Sequence, residues 1–242
     1  MLQNLKNQVV LITGGSEGYG KAMARAFMDA GARVIIAARS RNKLAAAQAE
    51  LGGAVDIFAM DVTDPQAWEQ IKAYILDRYQ RLDVLVNNAG GGIRIVETVR
   101  QTIPDIDAAI RLNLNSAIYG CRALAPIMQQ QQRGTIINVA SVCARECWPT
   151  WSIYASAKAG LLNFSKGLYL ELCHDLVRVT CLIPASANTA FGQSAGIASQ
   201  EIPQKLQPAD VAETALFIAA LPPHVVIEDL TVWGIDQVVV PL

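Results

Sequence analysis

Short apolar runs rich in valine and isoleucine alternate along the chain with longer segments in which apolar residues recur every three or four positions. The runs are apolar throughout, which is typical of parallel strands that are covered on both faces. They predict strands over residues 9–13, 34–38, 55–60, 84–87, 135–140, 177–183 and 225–232. The longer segments predict helices over residues 18–30, 41–51, 65–79, 105–132, 153–173 and 208–220.

This alternation predicts an α/β fold in which a parallel sheet of about seven strands has helices on both faces. Strands that each lead into a helix are typical of a doubly wound, Rossmann-type domain. No linker rich in proline, glycine or serine divides the 242 residues. We therefore expect residues 1–242 to form a single domain.

Charge and hydropathy narrow the classes of function. Twenty lysines and arginines face 21 aspartates and glutamates, and no long run has one sign. Because binding to nucleic-acid phosphates normally needs a basic face, we expect no nucleic-acid partner. The longest uncharged stretch, residues 179–200, contains many polar residues, so we expect no membrane span. The first residues lack the apolar centre of a signal peptide, which predicts a cytoplasmic protein.

The five cysteines are odd in number, show no repeated CxxC spacing and are accompanied by only two histidines. Zinc needs three or four ligands at suitable spacing, so we expect no metal site. A chain of this length does not need disulfides for stability, and we expect reduced thiols.

A glycine-rich turn joins the first predicted strand to the first predicted helix, and it reads TGGSEGYG over residues 13–20. Glycines at positions 14, 18 and 20 permit a tight turn and a close approach of the backbone to a pyrophosphate. The free N–H groups of the helix N-terminus would then hold the negative charge. The turn predicts a dinucleotide site, and a glycine turn without a ligand is the alternative.

The spacing G-x-x-x-G-x-G resembles the opening motif of the short-chain dehydrogenase/reductase family, and further motifs extend the resemblance over nearly the whole chain. They are the pair Asp61-Val62, the sequence NNAG at residues 87–90, Asn113 in a helix, Ser141, and Tyr154 followed by Lys158. The resemblance implies cofactor contacts from Gly14, Ser16, Glu17, Gly18, Tyr19, Gly20, Arg39, Asp61, Val62, Asn88, Ala89, Gly90, Tyr154, Lys158, Pro184, Ala185 and Thr189.

The end of the second predicted strand bears on the choice of cofactor. An acidic residue there would bind the ribose hydroxyls of NAD, but the chain has Ala38 followed by Arg39. A guanidinium can form charge-assisted hydrogen bonds with a 2′-phosphate. Relatives with arginine here usually prefer NADP, so the resemblance implies NADP(H) rather than NAD(H). Glu17 opposes this preference, because some NADP-using relatives have a basic residue at its position.

Tyr154 and Lys158 lie four residues apart in a predicted helix and therefore share one face. An ammonium beside a phenol should lower the phenol pKa and make Tyr154 a usable acid and base near neutrality. Ser141 follows the fifth predicted strand, at the edge of the sheet where ligands bind. The resemblance implies a catalytic set of Asn113, Ser141, Tyr154 and Lys158. In it, Tyr154 exchanges a proton with the substrate oxygen, Ser141 hydrogen-bonds that oxygen, Lys158 binds the nicotinamide ribose and Asn113 holds a water.

Three positions depart from the family pattern, and one of them is Ala157, where serine is common. Pro184-Ala185 stands where the family usually has Pro-Gly. Alanine adopts positive φ less readily than glycine, so we expect a different path for the loop over the nicotinamide. Tyr19 replaces the usual small aliphatic residue between the last two glycines of the turn.

Loops after the fourth to sixth predicted strands supply the candidate substrate contacts, which are Ser141, Cys143, Trp148, Tyr154 and Phe191. The aromatic residues favour an apolar or ring-bearing substrate, whereas residues 221–230 resemble relatives that act on small hydroxy acids. The resemblance implies a short-chain alcohol dehydrogenase or carbonyl reductase, which interconverts a ketone or aldehyde and an alcohol with NADP(H). A 3-oxoacyl thioester reductase and a non-catalytic NADP-sensing protein remain as alternatives.

The predicted helix over residues 153–173 carries more apolar residues than one stripe needs, which indicates burial on two sides. In the family the corresponding helix packs across a dimer interface. We therefore expect a homodimer or homotetramer.

Overall fold

The computed structural model describes residues 2–91, 94–187, 206–235 and 237. Seven strands of this part of the chain form one sheet, namely β1 (Val9–Thr13), β2 (Arg33–Ala38), β3 (Asp56–Ala59), β4 (Val84–Asn87), β5 (Gly134–Val139), β6 (Val177–Pro184) and β7 (Asp229–Val232). Their order is β3-β2-β1-β4-β5-β6-β7, and every neighbouring pair is parallel. The order reverses between β1 and β4, as in a doubly wound sheet. The predicted fold class is confirmed.

In the described ranges, seven α-helices accompany these strands, namely α1 (Gly18–Asp29), α2 (Arg41–Glu50), α3 (Pro65–Tyr79), α4 (Ile103–Ile110), α5 (Ser116–Gln131), α6 (Ser152–Leu172) and α7 (Pro208–Ala220). Three of them, α2, α3 and α4, start after residues whose side chains cap the helix. The Asp64 carboxylate accepts a hydrogen bond from the Gln66 N–H at 2.9 Å, and Pro65 occupies a first-turn position that needs no N–H donor.

One predicted helix, over residues 105–132, contains a local irregularity. It starts two residues earlier, at Ile103, because the Thr102 side chain caps the N–H of Asp105 at 3.2 Å. A π-helical turn, Arg111–Asn115, then separates α4 from α5. Such turns insert an extra residue into the helical repeat and often occur at functional sites.

The core consists of two apolar layers, one on each face of the sheet. Val10 and Ile12 pack on one face with residues of α1, α2 and α7. Val9 and Leu11 pack on the opposite face with residues of α3, α5 and α6. Because both faces are covered, the strands are apolar throughout, and this accounts for the hydrophobic runs in the sequence.

The last strand begins at Asp229 rather than at the predicted residue 225. The N–H of Val225 donates to the Pro222 carbonyl in a turn, at 2.9 Å, and the Val225 carbonyl accepts from the Arg178 guanidinium at 3.3 Å. The buried Arg178 also donates to the carbonyls of Ala219 and Leu221 at the end of α7, at 2.9 and 3.1 Å. An apolar run cannot reveal a turn that is stabilised by a distant arginine.

Within the described ranges, no helix is both long and apolar enough to cross a membrane. Among the same residues, no three histidine, cysteine, aspartate or glutamate side chains come together as a metal site.

Candidate active site

The glycine turn after β1 has a backbone that only glycines can adopt without strain. Gly14 and Gly18 have φ values of +65° and +54°, in the left-handed region. A Cβ on Gly20 would lie 2.2 Å from the Gly14 carbonyl oxygen and 2.7 Å from Asn88 Nδ2. The turn is therefore packed against the loop that follows β4.

The N-terminus of α1 faces out of this turn without a side-chain cap. Glu17 occupies the N-cap position but forms no capping hydrogen bond, and the first turn of the helix contains no acidic residue. Uncapped N–H groups at a helix N-terminus suit an anion such as a pyrophosphate. The predicted residues Ser16, Gly18 and Tyr19 lie half-buried at this point.

The loop after β4 is fastened to β1. The Thr13 hydroxyl oxygen accepts hydrogen bonds from the N–H groups of Asn88 and Ala89, both at 3.0 Å, and the Asn88 side-chain amide donates to the Thr13 carbonyl at 2.9 Å. A Cβ on Gly90 would lie 3.0 Å from Asn113 Oδ1 and 3.3 Å from Lys158 Nζ. This loop therefore connects the glycine turn with the predicted catalytic residues.

The predicted adenosine contacts lie on the other side of β1, after β2 and β3. Arg39 and Asp61 are exposed, and Val62 is buried. One oxygen of Asp61 accepts from the N–H and hydroxyl of Thr63, at 2.9 and 2.8 Å.

An ion pair beside Arg39 was not predicted from the sequence. Lys43, in the first turn of α2, lies 2.9 Å from the Glu17 carboxylate. The negative charge of Glu17 is thus balanced by a neighbouring cation. The sequence shows Lys43 as a third basic residue shortly after Arg39 and Arg41. It does not show that α2 begins opposite the glycine turn, where Lys43 can reach Glu17.

Ser141, Tyr154 and Lys158 come together at the carboxyl end of β5. A side-chain hydrogen bond joins Tyr154 to Ser141. The Lys158 ammonium donates to the Val139 carbonyl at 2.9 Å and lies 5.7 Å from the centre of the Tyr154 ring. Tyr154 is 8% exposed and Lys158 is 3% exposed. The expected shared face of α6 is therefore turned inwards, towards the sheet.

Asn113 reaches the same place from the π-helical turn. Its side-chain oxygen accepts from the Gly91 N–H at 2.8 Å, and its amide donates to the carbonyls of Gly91 and Ala109 at 3.0 and 2.9 Å. The side chain, 2% exposed, thus holds the loop after β4 in place. The water-binding role expected for Asn113 stays a prediction.

The pKa values of the two central residues are shifted by burial. Burial raises the pKa of Tyr154, and the hydrogen bond with Ser141 acts in the opposite direction. Burial lowers the pKa of Lys158 to about 8. The expectation that Lys158 gives Tyr154 a lowered pKa is wrong for the protein alone, because loss of hydration outweighs the hydrogen bond with Ser141.

The predicted substrate contacts Cys143, Trp148 and Tyr154 meet in one apolar cluster. Trp151 joins it, with its ring centre 5.8 Å from that of Tyr154. A small cavity next to Tyr154 is lined by Trp151, Arg94 and Gln101 among other residues. The predicted contacts Thr189 and Phe191 lie outside the described residues.

The loop after β6 begins without strain. Its first residue, Ala185, follows the buried Pro184, is not among the residues with positive φ, and donates its N–H to the Val232 carbonyl at 2.9 Å. The replacement of glycine is therefore accommodated locally. The Tyr19 hydroxyl donates to the Ala185 carbonyl at 3.1 Å, a contact that the sequence did not reveal.

Comparison with known proteins agrees with this arrangement. The family model for short chain dehydrogenases matches residues 8–199. Serine 3-dehydrogenase of Agrobacterium fabrum (strain C58 / ATCC 33970) is 32% identical over 235 residues, which cover 94% of each chain. The chain belongs to the short-chain dehydrogenase family of oxidoreductases.

Two solved structures show the same fold over almost their full lengths. The closed form of a serine dehydrogenase complexed with NADP+ has a TM-score of 0.90 at 28% identity and covers 97% of this chain and 98% of its own. A metagenomic short-chain oxidoreductase in complex with NADP has a TM-score of 0.83 at 30% identity and covers 95% and 98%.

Proposed function

We propose that the protein is an NADP(H)-dependent oxidoreductase that interconverts an aldehyde or ketone and an alcohol by hydride transfer. The observation that carries this proposal is that the buried Tyr154 lies beside the half-buried Ser141 and the buried Lys158 ammonium. Burying such polar groups costs free energy. A protein that only sensed a dinucleotide would need the glycine turn but not these three residues.

NADP(H) is favoured over NAD(H) for two reasons. Arg39 is exposed after β2, where a 2′-phosphate would lie, and the opposing charge of Glu17 is paired with Lys43. Both solved relatives described above contain NADP+ or NADP. We assign the pyrophosphate to the uncapped N-terminus of α1 and the adenosine half to the side of Arg39, Asp61 and Val62. The remaining predicted contacts are assigned to the same dinucleotide, with Asn88, Ala89, Gly90, Lys158, Pro184 and Ala185 along its nicotinamide half.

When bound, NADPH supplies the hydride that reduces the carbonyl carbon. The Tyr154 hydroxyl donates its proton to the carbonyl oxygen, and in the reverse direction its phenolate accepts the proton of the alcohol. The Ser141 hydroxyl donates a hydrogen bond to the same oxygen. General acid–base catalysis of this kind contributes about 10²–10⁴-fold.

Lys158 has two roles in this proposal. Its ammonium lies close enough to Tyr154 to stabilise the phenolate formed when the proton leaves, and its remaining donors face the loop that ends at Gly90. We assign the nicotinamide ribose to those donors. Because the Lys158 pKa is about 8, the ammonium is the main form at neutral pH and is lost at higher pH.

The substrate is proposed to be small. The cavity next to Tyr154 is lined by the Trp151 ring and by the Arg94 guanidinium, which also lies 3.6 Å from the Asp105 carboxylate, and this pairing suits a short carbon chain with a carboxylate. A relative that is 32% identical is named for serine, which has this chemistry. The alternative is a 3-oxoacyl thioester on an acidic carrier protein, which would favour a basic surface, whereas the chain has a formal net charge of −1.

The test measures NADPH consumption with ketones, keto acids and acyl thioesters, and NADP+ reduction with small alcohols and β-hydroxy acids including serine. We expect turnover with the small substrates, and about 10- to 100-fold lower kcat/KM for NADH or NAD+ than for NADPH or NADP+. Turnover with acyl thioesters alone would favour the alternative activity. Tight binding of NADPH without turnover of any substrate would contradict the proposal and favour a sensing protein.

We also propose that the protein is a homodimer or homotetramer that associates through α6. This helix buries Leu161 and Leu168 and still presents Leu170 to solvent. Light scattering at micromolar concentration should give at least twice the mass of one chain, and the mass of one chain would contradict the proposal.

A further inference from the structure

Tyr19 makes a contact that the proposed chemistry does not require. It is the second residue of α1, between the last two glycines of the turn, and its side chain is half-buried. Its hydroxyl donates to the main-chain carbonyl of Ala185, 166 positions further along the chain, at 3.1 Å. One side chain therefore connects the glycine turn with the loop that follows β6.

The start of that loop is also held from the opposite side. The Ala185 N–H donates to the Val232 carbonyl on β7 at 2.9 Å, and the Ser186 carbonyl accepts from the Gln237 side chain at 2.6 Å. These two contacts fasten the loop to β7 and to the segment that follows β7. The bond from Tyr19 fastens it to the nucleotide-binding part.

The Tyr19 ring adds apolar contacts to the hydrogen bond. It packs against the cluster that contains Ala185, Ala187 and Leu206, and also against the core around α1. Burial raises the pKa of Tyr19, so the hydroxyl stays protonated and remains a donor at neutral pH. Tyr19 therefore joins the core around α1 to the cluster behind the loop that follows β6.

We propose that Tyr19 is a positioning residue that holds the Ala185 carbonyl towards the glycine turn and thereby fixes the wall of the nicotinamide half of the site. This inference rests on the proposed function, because that function assigns the nicotinamide to the cleft between the turn and Tyr154. The adenosine half is assigned to the opposite side of β1, beside Arg39, and does not meet this wall.

The variant Tyr19→Phe removes the hydroxyl and keeps the ring. We expect the Kd of NADPH to rise about 3- to 10-fold, which is the effect of one neutral hydrogen bond. The Kd of adenosine 2′,5′-bisphosphate, which lacks the nicotinamide, should stay unchanged. Fluorescence titration or calorimetry measures both. The matched control is Tyr74→Phe, which loses a phenol hydrogen bond to Asp56, of 2.9 Å, at the β3 edge of the sheet and should change neither Kd.

An equal loss of affinity for both ligands in Tyr19→Phe would overturn the inference, because it would indicate a general disturbance of the glycine turn. Unchanged or tighter NADPH binding would overturn it as well. Wild-type protein that binds neither ligand would contradict the proposed function and this inference together. Binding of NADPH without turnover would contradict only the proposed catalysis, and the comparison of the two ligands would still decide the role of Tyr19.

Discussion

The two halves of the site are built in different ways. The glycine turn and the loop after β4 are shaped by the backbone, through positive φ values and through hydrogen bonds that the N–H groups of Asn88 and Ala89 donate to the Thr13 hydroxyl oxygen. The part around β5 and α6 is built from buried side chains, and burial shifts the pKa of both Tyr154 and Lys158. The first half offers donors to an anion at little cost. The second maintains reactive groups at a cost in stability.

The largest effect is expected at the reactive tyrosine. Tyr154→Phe removes the proton donor and should lower kcat by about 10²–10⁴-fold. The loss of one hydrogen bond should raise the Kd of NADPH by only about 10-fold or less. Tyr169→Phe, on the same helix, is the matched control and should keep full turnover. Near-normal kcat in Tyr154→Phe would exclude it as the acid and base.

In the backbone-shaped half of the site, Gly20→Ala should act mainly on the Kd of NADPH rather than on kcat. The added Cβ would meet the Gly14 carbonyl at 2.2 Å, so the turn must move away from the pyrophosphate. We expect NADPH binding to weaken by about 3 kcal/mol, which corresponds to two charge-assisted hydrogen bonds at the low end of their range. Gly167→Ala is the control, because its Cβ meets nothing within 4 Å. Calorimetric titration that shows wild-type affinity in Gly20→Ala would refute the assignment of the turn.

The cost of burying Lys158 can be measured as a dependence of stability on pH. With a folded pKa of about 8, below the ordinary 10.5, the unfolded chain binds more protons than the folded chain between these values. The free energy of unfolding of the wild type, relative to Lys158→Met, should therefore increase as pH rises through this window, by about 3 kcal/mol at most. Urea titrations at several pH values measure it, with Lys166→Met as the control. If the difference in free energy of unfolding between the two proteins does not change with pH, the pKa of Lys158 is not lowered in the folded protein.

A smaller effect is expected on cofactor preference. Arg39→Asp should lower the affinity for NADP+ relative to NAD+ by about 10- to 100-fold, the effect of one charge-assisted hydrogen bond. The exposed Arg122 on α5 provides the control variant Arg122→Asp. If the ratio of the two Kd values does not change, Arg39 does not bind the 2′-phosphate.

Features with a short-range chemical cause could be predicted from the sequence. The strands are apolar because both faces of the sheet are covered, and the glycines mark positions where a side chain does not fit. The set of Ser141, Tyr154 and Lys158 was implied by the resemblance to the short-chain dehydrogenase/reductase family, and the four-residue spacing indicated that Tyr154 and Lys158 share one face of a helix.

Contacts between distant segments could not be predicted in the same way. The Lys43–Glu17 pair, the Tyr19–Ala185 hydrogen bond and the bracing of Gly91 by Asn113 each depend on how separate elements pack. The predicted direction of the Tyr154 pKa shift was wrong for a related reason. Spacing showed that Lys158 is near, but it did not show how completely both residues are removed from water.

The central claim is that one cleft brings dinucleotide and substrate together, so that hydride passes directly between them. The most direct test uses NADPH carrying deuterium at C4 of the nicotinamide, in each of its two configurations, with the best carbonyl substrate of the panel. One configuration should give alcohol with one deuterium on the carbinol carbon, and the other should give unlabelled alcohol. Unlabelled alcohol from both would contradict direct hydride transfer.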